Sequence, residues 1–150
     1  MGSRAVTSDG WTGAVVLPGR TLVRGRGVQN PLPAGREPDF GLYLGVDYQP
    51  RWEHERLEWP DFGLPRDPLA AVRAIERLHR RARVGEHVET ACKAGKGRTG
   101  TVVACLAILD GLPPDHAVSW TREHFHYRAV QTPWQRRWVL PFADLSRRSA

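Results

Sequence analysis

From Leu69 onward, Leu69, Val72, Ile75 and Leu78 recur every third residue, with alanines and the polar Arg73, Glu76 and Arg77 between them. That spacing lays one apolar stripe along a helix. Asp67 is suited to cap its start, Pro68 to its first position, and the stripe predicts a helix to about Arg83. Arginines 73, 77, 80, 81 and 83 of this helix read as a solvated face with Glu76 pairing locally, and no function is assigned to them. A second pattern, the almost unbroken apolar run Thr101 to Leu109, ends at Gly111 and Pro113 and predicts a buried helix. Asp115 to His124 reads as another helix. Thr132 and Pro133 open a last one running toward Phe142, where Pro141 is expected to disturb it. Strands are predicted at Ala14–Leu17 and Thr21–Arg24, flanking a Pro18-Gly19 turn, and at Phe40–Leu44, Arg56–Trp59 and His87–Ala91.

The chain has 150 residues, a one-domain length, and shows no internal repeat, linker or low-complexity tract. A hydrophobic fraction of 41% with 25% charged residues excludes disordered and fibrous classes. No apolar run is long enough to span a bilayer. Met1 to Gly10 lacks a secretory stretch, and Val6 breaks the myristoylation pattern, so a soluble, cytoplasmic protein is expected. Two cysteines, Cys92 and Cys105, are too few for a disulfide scaffold and suit a reducing compartment. The formal net charge of +6 implies anionic partners: nucleic acid, acidic lipid headgroups or phosphorylated substrates. Its distribution is more telling. Lys93 and Lys96 are the only lysines, and both fall between Cys92 and Arg98.

In Cys92-Lys93-Ala94-Gly95-Lys96-Gly97-Arg98-Thr99-Gly100, a predicted strand passes through a glycine-containing turn into a predicted helix. Such a turn can aim successive backbone N–H groups at one point, forming a nest for a tetrahedral oxyanion with the helix N-terminus behind it. Arg98 can donate two parallel hydrogen bonds to a phosphate, and the same field favours thiolate over thiol at Cys92. A thiolate beneath a bound phosphate is an in-line nucleophile. Other readings fit less well. Gly95, Gly97 and Gly100 satisfy G-x-G-x-x-G, but a dinucleotide fold needs strands after this helix, where helices are predicted instead. A Walker loop fails because Gly97 follows Lys96, and no nucleic-acid motif accompanies the arginines. An ordinary turn with a buried cysteine is the bland alternative. Cys105, mid-helix, reads as a small buried hydrophobe, and His124 and His126 complete no metal site.

Cys92 to Gly100 resembles the signature loop, Cys-x5-Arg-Thr-Gly, of the cysteine-dependent protein tyrosine phosphatases, in the form found in the tensin-related lipid phosphatases. Trp59-Pro60-Asp61-Phe62-Gly63-Leu64-Pro65 is similar to that superfamily's general-acid loop, and Gln131-Thr132-Pro133-Trp134-Gln135 to the glutamine loop of its tyrosine-specific branch. Phe40 to Gly45 loosely resembles an early strand of the dual-specificity branch. The resemblance implies a single α/β domain over residues 1–150, with a small, mainly parallel central sheet flanked by helices. It implies hydrolysis of phosphotyrosine, and of phosphoserine or phosphothreonine in the dual-specificity manner, without metal or cofactor. Cys92 would be the nucleophile, Arg98 would bind the phosphoryl group with the amides of residues 93–97 (Lys93, Ala94, Gly95, Lys96, Gly97), and Asp61 would be the acid and then the base. Thr99 would stabilise the leaving thiolate, and Gln131 or Gln135 would orient water, although Thr132 and Gln135 also form a capping-box pattern. Lys93 and Lys96 keep phosphoinositide hydrolysis open as an alternative. Ala91, standing where the family usually has histidine, keeps open a weakly active, phosphate-binding pseudophosphatase. The stretch from Leu44 to Trp59 is shorter than the family norm, and Tyr43, Tyr48 and Trp52 are the candidates to stack on a substrate ring.

Overall fold

Five strands and four helices follow one another in a computed structural model that describes residues 11–149. They are β1 (Ala14–Val16), β2 (Leu22–Gly27), β3 (Phe40–Leu44), β4 (Glu53–Leu57), α1 (Pro68–Arg83), β5 (Val88–Cys92), α2 (Gly97–Leu109), α3 (Ala117–His124) and α4 (Pro133–Ser149). The strands form one sheet in the order β1-β2-β5-β3-β4; β1 runs antiparallel to β2 and every other pair is parallel. This is the α/β fold with a mainly parallel sheet that the motifs implied. The Met1–Gly10 readings lie outside the described residues. No helix among those described is long and apolar enough to cross a membrane.

Three of the four residues of the hydrophobic stripe are buried as their spacing requires, while Leu69, in the first turn, is exposed. Val72, Ile75 and Leu78 of α1 are buried with Val102, Val103 and Leu106 of α2 and Val139 and Phe142 of α4, against Val23, Leu42, Leu44 and Val88 of the sheet. Each large aliphatic side chain buried there stabilises the fold by roughly 1.5–3 kcal/mol relative to exposure. Asp67 caps α1 by accepting from Ala70 N at 3.1 Å. Among the arginines of α1, Arg77 pairs with Glu55 and Arg81 with both Glu53 and Glu86 instead of Glu76, which accepts from Ser146 on α4, while Arg73 and Arg80 are solvated.

Several boundaries differ from expectation; β2, for one, runs from Leu22 to Gly27 and not from Thr21 to Arg24. β4 sits at 53–57 because its parallel register with β3 runs from Phe40 opposite Glu53 to Leu44 opposite Leu57, leaving Glu58 and Trp59 outside the sheet. α2 begins at Gly97, not Thr101, because Gly97 and Gly100, weak helix formers, are buried and held in its first turn by packing. The predicted Asp115 helix begins as a short 3-10 turn, Pro114–His116. α4 continues through Pro141, an exposed position, where water can solvate the carbonyl that proline leaves unpaired.

The sheet face opposite the apolar core carries a buried polar layer. Glu89 Oε1 accepts from Arg24 Nη2 at 2.8 Å and Arg26 Nε at 3.0 Å, and Oε2 accepts from Tyr43 Oη at 2.7 Å. Trp52 Nε1 donates to the same Tyr43 oxygen at 2.7 Å, and Arg26 Nη2 to Tyr48 at 2.9 Å. Burial first, and the Glu89 carboxylate second, push the Tyr43 phenol far above its ordinary value of 10.0. Above about pH 10 the folded chain therefore holds a proton that the unfolded chain releases, so stability falls as pH rises. Melting temperature should drop steeply from about pH 9.5 to 11 in the wild type, and Tyr43→Phe should flatten that slope.

Candidate active site

β5 is the middle strand, and its C-terminal end places Cys92 at the centre of the sheet edge from which the ligand loop springs. Gly27 of β2 lies opposite it in register. The loop rests directly on β2, which requires glycine on both sides: a Cβ on Gly27 would lie 2.6 Å from the Ala94 carbonyl carbon, and one on Gly95 2.3 Å from Gly27 N. Gly95 also has φ +77°, a left-handed conformation that side chains resist. Val28 N and Gln29 N bind the Cys92 and Lys93 carbonyls at 2.9 and 3.1 Å, completing the attachment.

The Cys92 sulfur is buried and accepts two hydrogen bonds, from Gly95 N at 3.2 Å and from the Thr99 hydroxyl at 3.0 Å. Both donors would stabilise a negative charge on this sulfur. Arg98 is 5% exposed. Its Nη1 donates to Trp59 O at 3.0 Å and Leu44 O at 3.2 Å, and its Nη2 lies 3.4 Å from Asp61 Oδ1. Its buried Nε–H has no hydrogen-bond partner among the described residues, which leaves a donor ready for an anion. One side chain thus ties the phosphate loop to β3 and to the loop bearing Asp61.

Cys92, Arg98 and Asp61 line a single cavity of about 140 Å³, together with Lys93, Ala94, Lys96, Gly97 and Gln131. At roughly 30 Å³ per water, that volume suits a tetrahedral oxyanion and leaves its organic group at the mouth. Thr99 sits under the sulfur, and Gly95 contributes its amide. Gln131 packs on α2, where a Cβ on Gly97 would come within 2.5 Å of its Oε1. Gln135 does not line the cavity. It is fully buried, its Oε1 accepts from Gln131 N and Thr132 N at 2.9 and 3.3 Å, and its own N–H donates to Thr132 Oγ1, so the capping box forms. A larger groove of about 710 Å³ alongside contains Arg56 and Arg66, already paired with Asp47 and Glu58, and neither Cys92 nor Arg98.

Tyr43, Tyr48 and Trp52 belong to the polar layer on the other sheet face and do not reach the cavity. Tyr43 is buried against Glu89. The aromatic side chain at the mouth is instead Phe62, 54% exposed and lining the cavity beside Asp61. Arg128 also lines it, and like Lys93 and Lys96 it makes no ion pair among the described residues. Phe62 could have been found as the neighbour of Asp61; Arg128, in the loop between α3 and α4, carries no local signal. Ala91 faces the polar layer, in register with Arg26 and Tyr43. Cys105 is buried in α2, where burial pushes its thiol well up and out of reactive use.

The family model for protein-tyrosine phosphatase matches residues 48–131, a span that contains both the Asp61 loop and the Cys92–Arg98 loop. The chain belongs to the protein-tyrosine phosphatase family. Solved structures share its fold. The crystal structure of Tk-PTP in the active form superposes with a TM-score of 0.67 at 24% identity, covering 92% of this chain and 99% of that one. The crystal structure of PTPMT1 gives a TM-score of 0.58 at 22% identity, covering 75% and 80%. A further PTPMT1 structure, in complex with PI(5)P, gives 0.57 at 20% identity, covering 75% and 81%. In sequence, the chain is 37% identical over 54 residues to the phosphatidylglycerophosphate phosphatase PTPMT1 of Arabidopsis thaliana, covering 35% of this chain and only 16% of that protein. The Arabidopsis relative is named for a lipid substrate.

Proposed function

We propose that this phosphatase hydrolyses phosphotyrosyl monoesters through a cysteinyl-phosphate, in a reducing compartment such as the cytoplasm where the Cys92 thiol persists. The observation that carries the reading is the convergence of Cys92, Arg98 and Asp61 on one phosphate-sized cavity, with the Phe62 ring at its mouth. The Cys92 sulfur attacks phosphorus, forming S–P as the ester P–O bond breaks. Arg98 and the loop amides bind the equatorial oxygens, and Asp61 gives its proton to the departing oxygen. Water placed by Gln131 then attacks phosphorus while Asp61 takes back a proton. The S–P bond breaks, and the thiolate departs onto the Thr99 hydroxyl and the Gly95 amide.

A second reading, phosphoinositide hydrolysis, is favoured by the unpaired Lys93, Lys96 and Arg128 at the mouth, which suit further phosphates on a headgroup. The PTPMT1 relatives, one solved with PI(5)P, support it. The two readings separate in a comparison of phosphotyrosyl peptide, phosphoseryl peptide and a soluble inositol-lipid headgroup. The phosphotyrosyl peptide should show the highest kcat/KM, and Asp61→Asn should lower it by roughly 10²-fold. A headgroup preference lost in Lys93→Ala with Lys96→Ala would establish the second reading instead. Vanadate-sensitive turnover on none of the three would mean a phosphate-binding protein and overturn both.

A further inference from the structure

We propose that Trp134 and Gln135, on the first turn of α4, are positioning residues that latch the Asp61 loop over the cavity. The inference rests on the reading of Asp61 as the proton donor.

The loop carries its own strain and is held from outside. Phe62 has φ +60°, a left-handed conformation unusual for a bulky residue, and such a conformation persists only where its surroundings enforce it. The two carbonyls that follow Asp61 are both taken by side chains. Trp134 Nε1 donates to Phe62 O at 2.5 Å, and Gln135 Nε2 donates to Gly63 O at 3.1 Å. Trp59 Nε1 shares the Gly63 carbonyl at 2.8 Å from within the loop's own stem. The latch is anchored on something rigid, because Trp138, Val139 and Phe142 further along α4 are buried in the core.

Gln135 has a second consequence. While its amide N–H₂ holds the acid loop, its Oε1 caps Gln131 and Thr132. One buried side chain therefore sets the distance between the segment carrying the proposed water-orienting glutamine and the segment carrying the proposed acid. On the opposite side Arg98 grips Trp59 O, so the loop is fixed from the phosphate site and from α4 at once. Loss of the α4 bonds should lower the closed population of the loop. Proton donation should suffer, whereas sulfur attack and phosphate binding, which use Cys92, Arg98 and the loop amides, should not.

Leaving-group dependence separates these effects. A phenol that departs easily as its anion gains little from a proton donor, whereas a poor leaving group depends on one. The experiment measures kcat/KM for a series of aryl phosphates of graded phenol acidity, with Trp134→Phe, Gln135→Glu, Asp61→Asn and the wild type, and vanadate inhibition and melting temperature alongside. Trp134→Phe keeps the ring at a half-exposed position and removes the N–H. It should lose roughly 10-fold on phenyl phosphate and less than about 2-fold on the most acidic phenol, with vanadate inhibition unchanged. Gln135→Glu, which keeps the cap and loses the donor to Gly63, should shift in the same direction.

A Trp134→Phe series parallel to the wild type, or lowered equally at every leaving group, would overturn the latch. Should Gln135→Glu not fold, Trp134→Phe decides alone. A flat series for Asp61→Asn would overturn the acid role itself, and the latch with it; a steep Asp61→Asn series with an unchanged Trp134→Phe series would overturn only the latch.

Discussion

Cys92→Ser is expected to abolish turnover of every phosphate monoester, by roughly 10⁴-fold or more, while leaving phosphate and vanadate binding in place. The hydroxyl that replaces the thiol is a poor nucleophile at neutral pH, and among the described residues no base is hydrogen-bonded to this position. The groups around the sulfur are donors, Gly95 N and Thr99 Oγ1, which stabilise an anion but cannot take a proton from an alcohol. Binding survives because the amides of the turn and the Arg98 guanidinium are untouched, and oxygen is smaller than sulfur, so the cavity accepts the change. Phosphate titrated into the variant by calorimetry, with turnover measured on an aryl phosphate, checks both halves. Residual turnover within about 10-fold of the wild type would remove Cys92 as nucleophile.

Arg98→Lys is expected to cost roughly 10³-fold in kcat although the charge is conserved. A lysine can bring one positive charge to the phosphoryl group but not two parallel donors in a plane, and it also loses the hydrogen bonds to Leu44 O and Trp59 O. The loss should appear in kcat more than in phosphate affinity, because fixed donors matter most as charge redistributes over the equatorial oxygens in the transition state. It should also bring a steeper leaving-group dependence, since the Asp61 loop loses its hold on the guanidinium. A variant whose kcat falls less than about 10-fold would mean that charge alone suffices at this position.

Much of the site was legible before folding because it is local. The proposed nucleophile, the amides, the guanidinium and Thr99 fall within Cys92 to Thr99, so the spacing that makes the nest is itself a sequence pattern. Helix α1 was legible for a comparable reason: its cap, first-turn proline and apolar stripe are set by near neighbours. Roles that depend on distant partners were not. Tyr43, Tyr48 and Trp52 look like ring-stacking residues by type, yet Tyr43 points to the far face because strand alternation sets it beside Glu89. The capping box of Thr132 and Gln135 was local and legible, whereas the burial of Gln135 against the Asp61 loop and the placing of Gln131 in the cavity depend on distant partners. Strand β4 was misplaced because its limits are set by pairing with β3, 13 positions away in register, and not by its own residues.

By itself the chain of side chains determined the phosphate-binding chemistry and the order of strand, loop and helix that presents it, since both depend on interactions within a few residues. Tertiary structure decided which groups share the cavity: Asp61 arrives from the loop before α1, and Arg128 and Gln131 from the loop between α3 and α4, 31 or more positions from Cys92 in each case. It also decided that α4 holds the Asp61 loop, because a hydrogen bond between Trp134 and Phe62, 72 residues apart, exists only once the core has placed both.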